Sequence, residues 1–169
     1  MIDLLNAVAD ANPGYEDFSV WGFAKTVRPW QRQSAIVRLG RNVELVVRFD
    51  LDGLEVCAAW WYGPSEQIQR YRAAVADHGR GRRLATIVRT LERDGFTITG
   101  DVMTRPPRGY SADHPRAALL RRRSLIALQS LGCEDWLHTA AAVDHVLATF
   151  TQLHPLAVWL VENVSHPHE

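Results

Sequence analysis

The chain has 169 residues, 47% of them apolar and 22% charged, with a formal net charge of +0. That length suits one α+β-sized domain, 1–169, able to bury roughly two thirds of the surface its unfolded chain exposes, and the mix excludes disordered and collagen-like classes. No apolar run approaches the ~20 residues that cross a bilayer, and Asp3 and Asp10 replace the basic start of a secretory leader, so a cytoplasmic protein without a membrane partner is expected.

In chain order, residues 2–11 carry Ile2, Leu5 and Val8 on one helical face, and Asn12-Pro13-Gly14 stops that helix. Phe18, Val20 and Ala24-Lys25 hint at extended chain, and 35–39 reads as a short strand. From Val43 to Phe49 the sequence is β-branched and alternating, 50–53 reads as a turn with Gly53 at a positive-φ position, and 54–61 is apolar again: a β-hairpin. Its second strand lacks polar alternation and should lie centrally in a sheet.

Gly63-Pro64-Ser65 ends the strand and opens a helix, with Ser65 as N-cap and Ile68, Tyr71 and Val75 as the apolar stripe. Gly79-Arg80-Gly81 reads as its end. A second helix from near Arg82 carries Leu84, Ile87, Val88 and Leu91, with Gly95 at C′. A strand over 96–103 follows, then an arginine-rich segment, then a strand over 124–131. Residues 135–150 read as a helix interrupted at His154-Pro155, with one further amphipathic turn pair at Leu156, Trp159 and Leu160. The tail 164–169 is expected to fray. The expected class is therefore α+β, a mainly antiparallel sheet with helices packed on one face.

Charge is unevenly placed. Between Arg70 and Arg123 there are thirteen arginines and five acids, whereas 124–169 holds five acids and no Lys or Arg. Within this basic window, 105–123 concentrates six arginines and one acid around Pro106-Pro107, Gly109-Tyr110 and Asp113-His114-Pro115. Guanidinium groups grasp carboxylate or phosphate in a bidentate fork. Arg105, Arg108, Arg121 and Arg123, with Arg72 and Tyr110, are therefore candidate ligand residues. Trp60 and Trp61, at the strand end beside a helix start, join them. The same residues also read as punctuation: Asp113 as an N-cap, Pro115 in a first turn and 121–123 as a solvated last turn.

His114, with Asp113, is the candidate general base of a hydrolase- or transferase-type enzyme acting on an anionic substrate. No nucleophile elbow accompanies it. His138 and His145 stand seven residues apart, about 10 Å along a helix, too far to share one ion. Cys57 and Cys133 belong to no metal spacing and read as reduced, mostly buried thiols. No cofactor and no metal are expected. Neutral overall charge and the absence of a nucleic-acid motif make nucleic acid an unlikely partner.

Gly63-Pro64, Arg70 and Arg72, the block from Arg105-Pro106-Pro107-Arg108-Gly109-Tyr110 through Asp113-His114-Pro115, and Leu119-Leu120 before Ser124 together resemble a bacterial family called domain of unknown function 2461. Arginines stand here where that pattern carries lysines. The resemblance covers a core over 43–163, with 1–42 as a divergent N-terminal part in which Lys25 to Trp30 echo the family. It implies an α+β fold and brings no established activity or cofactor. The expected function is non-catalytic: a small anionic ligand or a protein partner held by the arginine segment. The alternatives are the enzyme with His114 and a module docking an acidic partner chain.

Overall fold

The computed structural model describes residues 1–22 and 32–165. Helix α1 (Ile2–Ala11) is followed by a 3-10 turn at Pro13–Tyr15 and strands β1 (Phe18–Gly22), β2 (Arg32–Gly40), β3 (Val43–Asp50) and β4 (Gly53–Trp60). Then come α2 (Ser65–Ala76), α3 (His78–Arg93), β5 (Thr97–Thr99), the short α4 (Ala117–Leu120), β6 (Leu125–Gly132), a 3-10 turn at Asp135–His138 and α5 (Ala141–Asn163). The described strands form one six-stranded sheet in the order β1-β2-β3-β4-β6-β5, antiparallel throughout.

Strand alternation sorts side chains to two faces. Val43, Leu45, Val47, Val56, Ala58, Trp60, Leu125 and Ala127 point to the helical side, where they join Leu5, Tyr71, Leu84, Phe150, Leu156 and Trp159 in one core. The opposite face carries only a small strand-borne cluster, Val46, Cys57 and Ala59, edged by Ile36, Trp61, Ile126 and Leu128. The α+β class, with helices on one face, is thus the observed one. β4 lies between β3 and β6, as its unbroken apolar run requires, and Gly53 has φ 108°.

Several local expectations change. Pro64, and not Ser65, occupies the N-cap of α2, with no side-chain cap bond. The glycines at 79 and 81 do not end α2. That helix stops at Ala76, and Asp77 caps α3, its carboxylate accepting the Arg80 N–H at 2.8 Å. Gly81 then lies buried in the first turn of α3, where a Cβ would collide with the Val75 carbonyl and the Arg116 guanidinium. The strand expected over 96–103 is confined to Thr97–Thr99, and Val102 returns only as an isolated bridge to Arg122.

The C-terminal helix also differs. Residues 135–138 form a separate 3-10 turn, and α5 runs unbroken through Pro155. Proline removes one helical hydrogen bond. Here the turns beyond it bury Leu156, Ala157, Trp159 and Leu160, and that burial holds them in line. Cys57 is buried as expected, but Cys133 is exposed. Ala24, Lys25, the echo at 25–30 and most of the expected tail lie outside the described residues.

Candidate functional site

The arginine-rich segment is a long return from β5 to β6, built on few regular bonds. Met103 N–H donates to the Arg121 carbonyl at 2.8 Å, and Arg123 N–H to the Asp101 carbonyl at 2.8 Å, so the two ends of the segment zip together. Pro107 is buried, a turn closes from Tyr110 N–H to the Pro107 carbonyl, and Tyr110 packs half-buried against the main core. Gly109 has φ 89° with nothing within 4 Å of a built Cβ, so backbone conformation and not crowding favours glycine there.

Each arginine meets a different fate. Arg116 was outside the sequence-based candidates, yet it is the most engaged. Its Nε donates to the Val75 carbonyl at 2.7 Å, and a terminal nitrogen donates to the carbonyls of Ala76 and Asp77 at 3.1 and 3.2 Å. The Val75 and Ala76 carbonyls stand at the end of α2, where helical partners run out, and the Asp77 carbonyl also accepts the Gly81 N–H at 3.0 Å. Arg122 donates to the Thr99 carbonyl at 2.9 Å. Arg123 forms an ion pair with Asp101 at 2.7 Å.

Arg72 and Arg121 are held differently. Arg72 Nε reaches the Leu120 carbonyl at 3.4 Å, and a terminal nitrogen lies 2.9 Å from the Met103 sulfur, a weak acceptor. Arg121 follows Leu120 in the chain, and its carbonyl accepts the Met103 N–H, so its backbone lies beside the two groups that Arg72 meets. The Arg121 Nε is buried and has no acceptor among the described residues. Arg105, two residues beyond Met103, and Arg108 are exposed and make no hydrogen bond or ion pair among the described residues. Of the α5 acids, Glu162 reaches an arginine of the basic window, Arg83, at 3.2 Å.

The two tryptophans lie on opposite faces of the sheet. Trp60 is fully buried, its ring 4.8 Å from that of Tyr71 and its N–H given to Gln67 Oε1 at 3.1 Å. Gln67 is a buried hub that sequence reasoning missed. It also accepts from Asn42 and donates to the Arg41 carbonyl, tying α2 to the β2–β3 turn. Trp61 lies on the helix-free face of the sheet and donates to Glu44 at 2.8 Å. Tyr71 donates to the Leu119 carbonyl at 3.1 Å, and burial raises its phenol above the ordinary range.

His114 is half-buried, and its Nδ1 accepts the Arg116 N–H at 3.0 Å. That lone pair is committed to the backbone. Asp113 is exposed. Its own N–H is bonded to Ser111, and it caps no helix; the residue before α4 is Arg116. His138 and His145 lie in separate elements, with His145 stacked on Trp136 at 3.9 Å. Among the described residues no group of three or more His, Cys, Asp or Glu is placed to hold a metal ion.

The fold and this segment define an α+β protein with one antiparallel sheet, helices on one face and a basic return loop against α2. The chain belongs to the conserved hypothetical proteins of domain of unknown function 2461 (DUF2461), whose pattern it matches over residues 23–159. The match begins about twenty residues before Val43, so the family pattern reaches into the part read from the sequence as divergent. No curated protein and no solved structure matches the chain. Among the described residues no helix is long and apolar enough to cross a membrane.

Proposed function

We propose that this protein is a non-catalytic binding protein for a small anion, held by Arg72 and Arg121 where α2 meets the return loop, with Arg105 and Arg108 at the rim. The observation that carries this reading is the Arg121 Nε, enclosed and without an acceptor among the described residues. A buried donor left unpaired costs about 1–3 kcal/mol, so native structures rarely keep one without a compensating role. A carboxylate or phosphate oxygen would satisfy that N–H. It would also offer Arg72 a stronger acceptor than a thioether, and two forks can hold one anion in bidentate fashion.

Calorimetric titration with inorganic phosphate, pyrophosphate and citrate tests the reading. Binding of at least one is expected, weakened about ten-fold or more in Arg72→Gln and Arg121→Gln proteins, equivalent to about 1.4 kcal/mol each. Absence of binding by all three, or equal affinity in both variants, overturns it.

Arg105 and Arg108, exposed and unpaired among the described residues, favour a second reading, docking of an acidic partner chain. That interaction would fade between low and high salt as screening shortens the reach of surface charge. The enzymatic reading with His114 as general base has less support, because its Nδ1 lone pair is committed to backbone.

A further inference from the structure

The return loop opens on a sulfur held against a cation. We propose that Met103 is a reversible oxidation site, whose sulfoxide oxygen is taken by the Arg72 guanidinium and so weakens anion binding. The effect on binding rests on the anion reading above; the pairing of Met103 with Arg72 does not.

The chain holds two methionines, Met1 at its start and Met103 in the loop. Met103 is half-buried between Val102, 45% exposed, and the exposed Thr104, so its surroundings are open to a molecule as small as hydrogen peroxide. Its backbone is fixed on the other side: Met103 N–H bonds the Arg121 carbonyl at 2.8 Å, and Val102 bridges to Arg122. The sulfur lies 2.9 Å from a terminal nitrogen of Arg72. The other acceptor of that guanidinium among the described residues is the Leu120 carbonyl at 3.4 Å, long for an N–H···O bond. A charged fork thus faces a thioether, which accepts weakly, and one long bond. The shortage of acceptors recurs at Arg121, whose buried Nε has none among the described residues.

Oxidation supplies an acceptor at this position. A sulfur lone pair attacks one oxygen of hydrogen peroxide, and the S–O bond forms as the O–O bond breaks. The departing hydroxide takes the proton left on the transferred oxygen and leaves as water. The sulfur loses two electrons and the peroxide gains them. The sulfoxide oxygen accepts a charge-assisted bond from a guanidinium far better than sulfur does. Since sulfur and guanidinium are already in contact, a small turn of the Met103 side chain places that oxygen on Arg72. An incoming anion must then displace it, so affinity falls. Methionine sulfoxide reductases reverse the step.

The test compares the full chain before and after hydrogen peroxide, with dithiothreitol added afterwards to return the exposed Cys133 to its thiol. Peptide mass spectrometry should find one added oxygen on Met103. The change in Tm on oxidation should be more favourable by about 2 °C or more in the parent than in Arg72→Leu, because only the parent can pair the sulfoxide. Arg72→Ala serves if Arg72→Leu does not fold, and oxidation of Met1 is common to all these proteins and cancels. An unmodified Met103, or equal changes in Tm, overturns the pairing. Affinities for phosphate, pyrophosphate and citrate are then titrated in both forms. The affinity of whichever binds should fall about ten-fold on oxidation, recover with methionine sulfoxide reductase, and change by less than about two-fold on oxidation of Met103→Leu. Equal affinity before and after oxidation overturns the regulation and leaves the anion reading intact. Binding of none of the three to the unoxidised protein overturns the anion reading and the regulation together, while the Tm comparison still decides the pairing.

Discussion

The α2–α3 corner and the Arg72–Arg121 neighbourhood use the same side chain to opposite ends. At the corner, Arg116 meets three backbone carbonyls and closes the end of α2. Five residues later, Arg121 keeps a buried Nε with no acceptor among the described residues, and Arg72 turns one nitrogen to the Met103 sulfur. The residue type is the same in the two places. What differs is whether the fold delivers an acceptor. An arginine supplied with one becomes part of the frame; one denied it is, under the proposed function, left to a ligand.

Stability measurements would break or sharpen that contrast. The largest effect is expected for Gly81→Val, about 3 kcal/mol by denaturant unfolding, because a branched side chain would force Val75 and Arg116 apart. Arg116→Ala should cost about 2 kcal/mol, since it leaves α2 carbonyls without their charged donor. Arg121→Met should cost less than about 0.5 kcal/mol, or stabilise, because it removes an unpaired buried donor while keeping an unbranched chain. If Arg121→Met cost as much as Arg116→Ala, the two regions would not differ in kind. Arg105→Ala and Arg108→Ala, both exposed, should fall within about 0.5 kcal/mol of the parent.

Burial sorts the cysteines in the same manner. Burial, with Glu55 nearby, pushes the Cys57 thiol from 9.0 up to about 12. Its folded form keeps a proton that the unfolded chain releases. The associated stability is therefore whole below pH 9 and declines as pH rises toward 12. Cys57→Ala should flatten part of that decline, with Tyr71 and Tyr15, also raised by burial, retaining the rest. At neutral pH a thiol reagent should titrate the exposed Cys133 at once and Cys57 only on unfolding.

The hairpin of β3 and β4 was legible because alternation, turn and central apolar strand are all local signals, and so were the stripes of α2 and α3. The boundaries that moved did so through distant partners. Pro155 stays helical because Leu156, Trp159 and Leu160 bury against the core. Gly81 sits inside a helix because Asp77 caps it and the loop side chain of Arg116 fills the space a Cβ would need. Gln67 gave no sign in the sequence of joining Trp60, Asn42 and the Arg41 carbonyl.

By itself the sequence determined the α+β class, the central strand and the concentration of arginine in one return segment, since periodicity and composition act over neighbouring residues. Only the tertiary structure decided which guanidiniums meet carbonyls, which meet a carboxylate and which meet nothing. Those outcomes depend on groups twenty or more residues apart in the chain, as with Arg123 and Asp101 or Arg116 and Val75. Hydrogen bonding and burial act through distance in space, which local pattern does not encode.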